Sequence, residues 1–176
     1  MSGRSLRNLE TALQDISDLI DEPTQARFMA VVAQLEAHCT EAALGILFAR
    51  FANEPGDIME RLIHGVENFP GKMYTRALAR ELLPLSRRAR EWTVILHMRL
   101  LQSRKDLSWY VDNLVGAGPE IQAALHDILG EVATRRADLA RVVARTIDAT
   151  AARRSLYRHA ENHRSRRSST RSKRQQ

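Results

Sequence analysis

Helix-breaking residues interrupt this chain at fairly even intervals, and their spacing constrains the fold more than any other feature. Proline, glycine and short polar runs leave segments of about 12 to 17 residues, the usual length of globular helices. The breaks fall at Glu22-Pro23, His38 to Thr40, Asn53 to Gly56, Phe69 to Gly71, Pro84, Ser103 to Lys105 and Gly116 to Pro119. Within the segments apolar residues recur every three or four positions, which predicts about eight helices.

The composition favours helices and offers little material for a β-sheet. Alanine, leucine, arginine and glutamate are abundant, whereas aromatic residues make up 5% of the 176 residues. The short turns between segments predict that consecutive helices pack as antiparallel hairpins. We therefore expect an all-α domain over residues 1–152, built as a HEAT-like stack, although no residue-level repeat recurs at a fixed period.

Two segments have a distinctive apolar pattern. The run from Trp92 to Leu101 is apolar on nearly every side, so we expect its helix at the centre of the domain. The last helix should begin at Pro119 and end within residues 153–176, because apolar residues continue in near-heptad steps as far as Ile147. Gly130 and Thr134 are the candidate kink positions in it.

The same periodicity predicts core residues and helix caps. Ser5 and Thr40 precede apolar-periodic segments and are expected to cap them. His97 stands among apolar neighbours, which favours a core histidine hydrogen-bonded to a carbonyl. The predicted structural core includes Ile63, His64, Phe69, Trp92 and Leu96.

Positive charge is concentrated at the C-terminal end. Residues 153–176 carry nine Lys and Arg against one acidic residue, whereas the preceding residues carry 18 basic and 20 acidic groups. The end of this segment has no apolar residue to bury, which predicts a disordered tail after the last helix. Two interpretations remain equally open: a solubilising terminus, or a non-specific nucleic-acid contact. The second would use Arg164, Arg166, Arg167, Arg171, Lys173 and Arg174.

No constellation of residues points to catalysis. The single cysteine, Cys39, excludes an internal disulfide and a cysteine-based zinc site. His159 and His163 have the spacing of two ligands on one helical face, but no third ligand accompanies them, so no metal site is predicted. There is no phosphate-binding glycine loop and no nucleophile elbow. We expect no enzymatic activity, no cofactor and no metal.

The chain also has no apolar stretch as long as a membrane span, which needs roughly 18 residues, and no apolar run near its N-terminus that would serve as a secretory signal. These features predict a cytoplasmic protein without a membrane partner.

Residues 57–114 contain a series of motifs in a recognisable order. Residues 57–69 contain an Ile-His-x-apolar-Glu-x-Phe run, and an aromatic residue, a Leu-Pro-x turn and an x-Glu-Trp helix follow it. These later motifs are Tyr74, Leu83-Pro84-Leu85 and Ala89-Arg90-Glu91-Trp92, closing with Arg99, Leu101 and Ser103. The order resembles the immunity protein 30 family, all-α proteins encoded beside bacterial polymorphic toxins. Arg90 stands where that family usually has proline, and Gln102 before Ser103 is a second departure.

The resemblance implies a cytoplasmic protein that inhibits a cognate toxin domain by binding it. It does not locate the binding face, so the candidates are charged and aromatic residues that neighbouring helices could expose: Asp57, Glu60, Asp106, Trp109 and Asp112. For Trp109, burial in the core is the other interpretation and the commoner one for a tryptophan. A further hypothesis is a buried polar network between the fourth and sixth helices, formed by His64, Glu67, Glu91 and Arg99. The alternative function is a helical adaptor that binds RNA or ribosomes through the basic tail.

Overall fold

A computed structural model describes residues 5–16, 22–52, 57–153 and 155 of the chain, and the regular structure in these residues is helical. The helices are α1 (Leu6–Gln14), α2 (Glu22–His38), α3 (Glu41–Ala49), α4 (Asp57–Glu67), α5 (Gly71–Arg88), α6 (Arg90–Leu100), α7 (Arg104–Asn113), α8 (Pro119–Arg135) and, after a 3₁₀ turn at Ala137–Leu139, α9 (residues 140–153). The prediction of an all-α fold is confirmed.

Side-chain hydroxyls begin three of the helices. Ser5, Thr40 and Ser103 each accept a hydrogen bond from the backbone amide three residues ahead, at 3.4, 3.2 and 3.3 Å respectively. These contacts satisfy amides that have no partner within the helix. Between α2 and α3 the chain turns at Cys39, whose φ of 46° is in the left-handed region that ends many helices. The caps predicted at Ser5 and Thr40 are confirmed.

The central helix is α5, not α6. It packs against α3, α4, α6, α7 and α8, whereas α6 packs mainly against α5 and α8. The prediction that α6 is central was therefore wrong. Two physical reasons explain this: α5 has 18 residues against 11 in α6, so it reaches more neighbours, and the side of α6 that carries Ile95 and Met98 is only half-buried. The HEAT-like arrangement of hairpins stays a prediction.

Two expected breaks lie elsewhere in the structure. Pro84 does not end a helix, since α5 continues through it to Arg88. The last segment is not one helix: α8 ends at Arg135, and the 3₁₀ turn separates it from α9. The interruption comes after both candidate kinks, and Thr134 donates a hydrogen bond to the carbonyl of Gly130 at 3.0 Å within the continuous helix.

Most of the predicted core residues are buried, and His64 is the exception. Ile63, Phe69, Trp92 and Leu96 are each at most 7% exposed, while the side chain of His64 is exposed. The buried side of α4 includes Leu62 and Val66. Residues two apart on a helix point about 160° away from each other, which directs His64 to the opposite side. Its assignment to the core was wrong.

A buried polar contact joins α6 to α7. His97 is fully buried, with Nδ1 2.7 Å from the carbonyl oxygen of Thr93 and Nε2 2.7 Å from the hydroxyl of Tyr110. Because the carbonyl can only accept, Nδ1 carries the proton, and Tyr110 then donates its hydroxyl hydrogen to Nε2. Burial lowers the pKa of His97 to about 4, so the ring is neutral at pH 7.

Candidate partner-binding surface

A stripe of charged and aromatic side chains runs along the outer side of α7. Lys105, Trp109 and Asp112 are four and three residues apart, which places them on one side of the helix. Trp109 is half-buried, and two ammonium groups lie over its indole ring. The Nζ of Lys105 is 4.9 Å from the ring centroid, and the Nζ of Lys72 is 5.5 Å from it. These distances are those of cation–π contacts.

The first residue of α5 holds this stripe in position. A Cβ atom on Gly71 would lie 2.3 Å from Oδ1 of Asp106 and 2.8 Å from Cζ3 of Trp109, so only glycine allows α7 to approach this closely. Asp106 also accepts a hydrogen bond from the hydroxyl of Ser103 at 2.6 Å. Its carboxylate lies beside the N-terminus of α5, where the helix dipole favours negative charge. Asp106 is therefore engaged in holding α5 and α7 together.

The five residues predicted to bind a partner do not form one cluster of free charges. Asp106, Trp109 and Asp112 lie on α7, and Asp112 forms an ion pair with Arg153 of α9. Glu60 is exposed on α4. The pKa of Arg99 is raised mainly by the hydrogen bond between Arg99 and Glu67, and the charge of Glu60 makes a smaller contribution in the same direction. Asp57 begins α4, but its side chain lies outside the described part of the structure.

The polar network predicted between α4 and α6 exists only as one pair. The guanidinium of Arg99 donates to both carboxylate oxygens of Glu67, at 2.6 and 2.5 Å. Glu91 instead accepts two hydrogen bonds from Arg135 of α8, at 2.5 and 2.8 Å, and His64 is exposed. The four-residue network was therefore wrong. The reason is that Glu91, in the first turn of α6, faces α8 and not α4.

Arg90 also joins α6 to α8. It stands where the family that this sequence resembles usually has proline. Its guanidinium forms ion pairs with Asp127 at 2.5 Å and with Glu131 at 2.8 Å. Proline at this position would lack both contacts. The two arginines, Arg90 and Arg135, thus tie the first turn of α6 to successive turns of α8.

A groove lies between α7 and α9 and was not predicted. It encloses about 760 Å³, and its apolar floor comes from Leu101, Leu107, Val111, Leu139 and Val142. Arginine side chains line it on both helices. The apolar spacing of residues 139–149 is visible in the sequence. The break that separates these residues from α8 is not visible there, and the groove depends on that break.

Several other predictions concern features that the structure describes only in part. The tail residues Arg164, Arg166, Arg167, Arg171, Lys173 and Arg174 lie outside the described residues. Within the described ranges, no three His, Cys, Asp or Glu side chains are grouped so that they could hold a metal ion. None of the helices described is both long and apolar enough to cross a membrane.

The comparison with protein-family models places the chain in a family. The described residues form an all-α fold, and a half-buried tryptophan lies on the outer side of α7. The sequence model described as Immunity protein 30 matches residues 4–110, from the start of the chain into α7. This is more than half of the chain, and the protein belongs to the immunity protein 30 family. Neither the curated proteins nor the solved structures contain a match.

The family match confirms the resemblance seen in residues 57–114 and extends it to the N-terminal helices. α8 and α9 follow the matched range, so the groove is lined partly by residues within that range and partly by residues of α9 beyond it.

Proposed function

We propose that this protein binds a cognate bacterial toxin domain in the cytoplasm of the cell that makes it, and that binding neutralises the toxin. The observation that carries the proposal is membership of the immunity protein 30 family over residues 4–110. A protein that acts in this way needs a preformed surface with a rigid anchor and complementary charge, and no catalytic residues of its own.

The outer side of α7 offers such an anchor in Trp109. A tryptophan presents a large apolar area with few rotatable bonds, and tryptophans are enriched among the residues that contribute most to binding energy. Its contacts with Gly71, Lys72 and Lys105 hold the ring in one place before a partner arrives. A fixed ring loses little conformational entropy on binding. We propose that Trp109 lies at the centre of the toxin interface.

The charges around Trp109 suggest the chemistry of the partner surface. Lys72 and Lys105 extend over the ring, while the two acidic neighbours are already engaged, Asp106 with Ser103 and Asp112 with Arg153. A partner therefore meets cations first, which favours an acidic patch on the toxin. Glu60, on α4, is the remaining acidic candidate that is exposed and is retained as a secondary contact.

Co-expression with the toxin domain encoded beside this gene tests the proposal. The protein should restore growth, and the purified pair should form a one-to-one complex with nanomolar affinity, about −12 kcal/mol. Trp109→Ala should weaken the complex by about 2 kcal/mol or more, whereas Trp109→Phe keeps a ring and should weaken it less. Thermal melts of both variants show whether the packing against Gly71 has survived.

The alternative function, an adaptor that binds RNA through its tail, predicts a different result for a protein lacking residues 164–176. Under the immunity proposal this shortened protein still protects cells and still binds the toxin domain. If protection is lost with the tail while the body has no affinity for the toxin, the adaptor interpretation replaces it. Growth assays, and isothermal titration of the toxin domain with the protein that has residues 164–176 and with the protein that lacks them, distinguish the outcomes.

A further inference from the structure

The groove between α7 and α9, called here the α7–α9 groove, combines an apolar floor with a basic rim. The apolar residues of its floor come from both helices and from Leu101 at the end of α6, and two of them, Leu107 and Val142, remain half-exposed. Half-exposed aliphatic side chains at the bottom of a groove of about 760 Å³ favour an apolar occupant.

The rim of the α7–α9 groove is positive. Arg104 of α7 and Arg145 and Arg153 of α9 line it, and no acidic side chain does so among the described residues. Arg153 is balanced by Asp112, but in the described part of the chain Arg104 and Arg145 have no acidic partner. An occupant that brings carboxylates to the rim would therefore gain two ion pairs.

We propose that the α7–α9 groove binds an acidic amphipathic helix of the toxin partner. This inference rests on the proposed function and adds to it the position and the chemistry of one contact. An amphipathic helix supplies apolar side chains on one face, at intervals of three and four residues, which suits a groove between two helices. Acidic residues at the edges of that face would meet Arg104 and Arg145.

The groove adjoins the stripe of Lys105, Trp109 and Asp112 on the outer side of α7. Arg104, Ser108 and Val111 line the groove, and the neighbouring positions Lys105 and Asp112 belong to the outer side of the same helix. One partner covering the exposed half of α7 would thus contact both Trp109 and the groove. The protein's own C-terminal segment is a poor occupant, because residues 156–176 carry seven Lys and Arg against one Glu and would be repelled by the rim.

Two pairs of matched variants of the 176-residue protein test this inference. Each variant is assayed for binding to the toxin domain that the neighbouring gene encodes. Arg145→Glu reverses a rim charge, and Arg141→Glu makes the same change at an exposed position of α9 that does not line the groove. Ala149→Trp fills the groove, and Ala151→Trp adds the same bulk at an exposed position outside it. Circular dichroism and thermal melts establish that all four variants are folded.

Both groove variants should raise the Kd for the toxin domain at least about tenfold, and both controls should stay within about threefold of wild type. Added salt should reduce the difference between Arg145→Glu and wild type, because screening weakens the rim contacts. In hydrogen exchange, α7 and residues 139–153 should gain protection in the complex.

The failures are distinguishable. If the wild-type protein neither binds the toxin domain nor protects against it, both the proposed function and the groove proposal are overturned. If wild type binds and the groove variants match their controls, only the groove proposal is overturned. Sedimentation of the protein alone tests whether a second copy of the chain occupies the groove instead. If the wild-type protein is a dimer and Arg145→Glu or Ala149→Trp converts it to a monomer, the groove proposal is also overturned.

Discussion

The burial of His97 makes the stability of this protein depend on pH. The folded state holds His97 neutral with a pKa of about 4, whereas the unfolded chain exposes it with an ordinary pKa of 6.5. Between these two values the unfolded state binds more protons than the folded state. The free energy of unfolding therefore falls as the pH is lowered through this window and is fully recovered above it.

The size of the effect follows from the two pKa values. Lowering the pH from 7.5 to 5 should reduce the free energy of unfolding by about 2 kcal/mol through His97, and complete protonation by about 3 kcal/mol. For a chain of this length, about 2 kcal/mol corresponds to a decrease of about 4–8 °C in melting temperature. The exposed carboxylates of Glu91 and Asp127, whose pKa values are lowered by hydrogen bonds from Arg135 and Arg90, add a smaller loss at the acidic end.

Urea unfolding of wild type and His97→Gln at pH 7.5, 6.5 and 5 isolates this contribution. The variant lacks the imidazole, so its free energy of unfolding should change with pH only through the other groups, which both proteins share. The stability difference between the two proteins should therefore shrink by about 2 kcal/mol between pH 7.5 and 5. If the two proteins lose stability in parallel, His97 is not held neutral in the folded state.

Four further perturbations have defined outcomes. Trp92→Ala leaves a cavity in the core and should cost about 3–5 kcal/mol in denaturant unfolding; a normally stable variant that loses only partner binding would place Trp92 in the interface instead. Gly71→Ala should destabilise by about 1–3 kcal/mol because its Cβ meets Asp106. In contrast, Gly130→Ala, with open space around it in α8, should stabilise by about 0.5–1 kcal/mol in the same measurement. Deleting residues 164–176 should leave the melting temperature nearly unchanged, because this segment has no apolar residue to bury; a large decrease would show that the tail is structured.

Local interactions explain why much of the fold was predictable. Helix periodicity and capping depend on residues three or four apart, so Ser5 and Thr40 could be recognised as caps from neighbouring residues alone. Ile63 and Leu96 were recognisable as core residues for the same reason. The family resemblance also rests on such residues, since its motifs are mostly those that pack helices together.

Packing between distant segments decided what these local patterns did not. Pro84 removes one hydrogen bond from α5, at a cost of about 3 kcal/mol in an isolated helix, yet Leu82 and Leu85 are fully buried on either side of it, and this packing holds the helix together. His64 is exposed because the buried side of α4 is set by the helices around it.

The candidate binding surface is likewise a product of tertiary structure. Trp109 could be singled out from the sequence, but its position against Gly71 brings together residues 38 apart. The α7–α9 groove exists because the chain breaks after Arg135 and returns α9 to the side of α7. The sequence by itself determined most of the helices, the caps at Ser5 and Thr40 and most of the core, because those depend on near neighbours. Tertiary structure alone decided which helix is central and which charges are paired, because both depend on contacts between residues far apart in the chain.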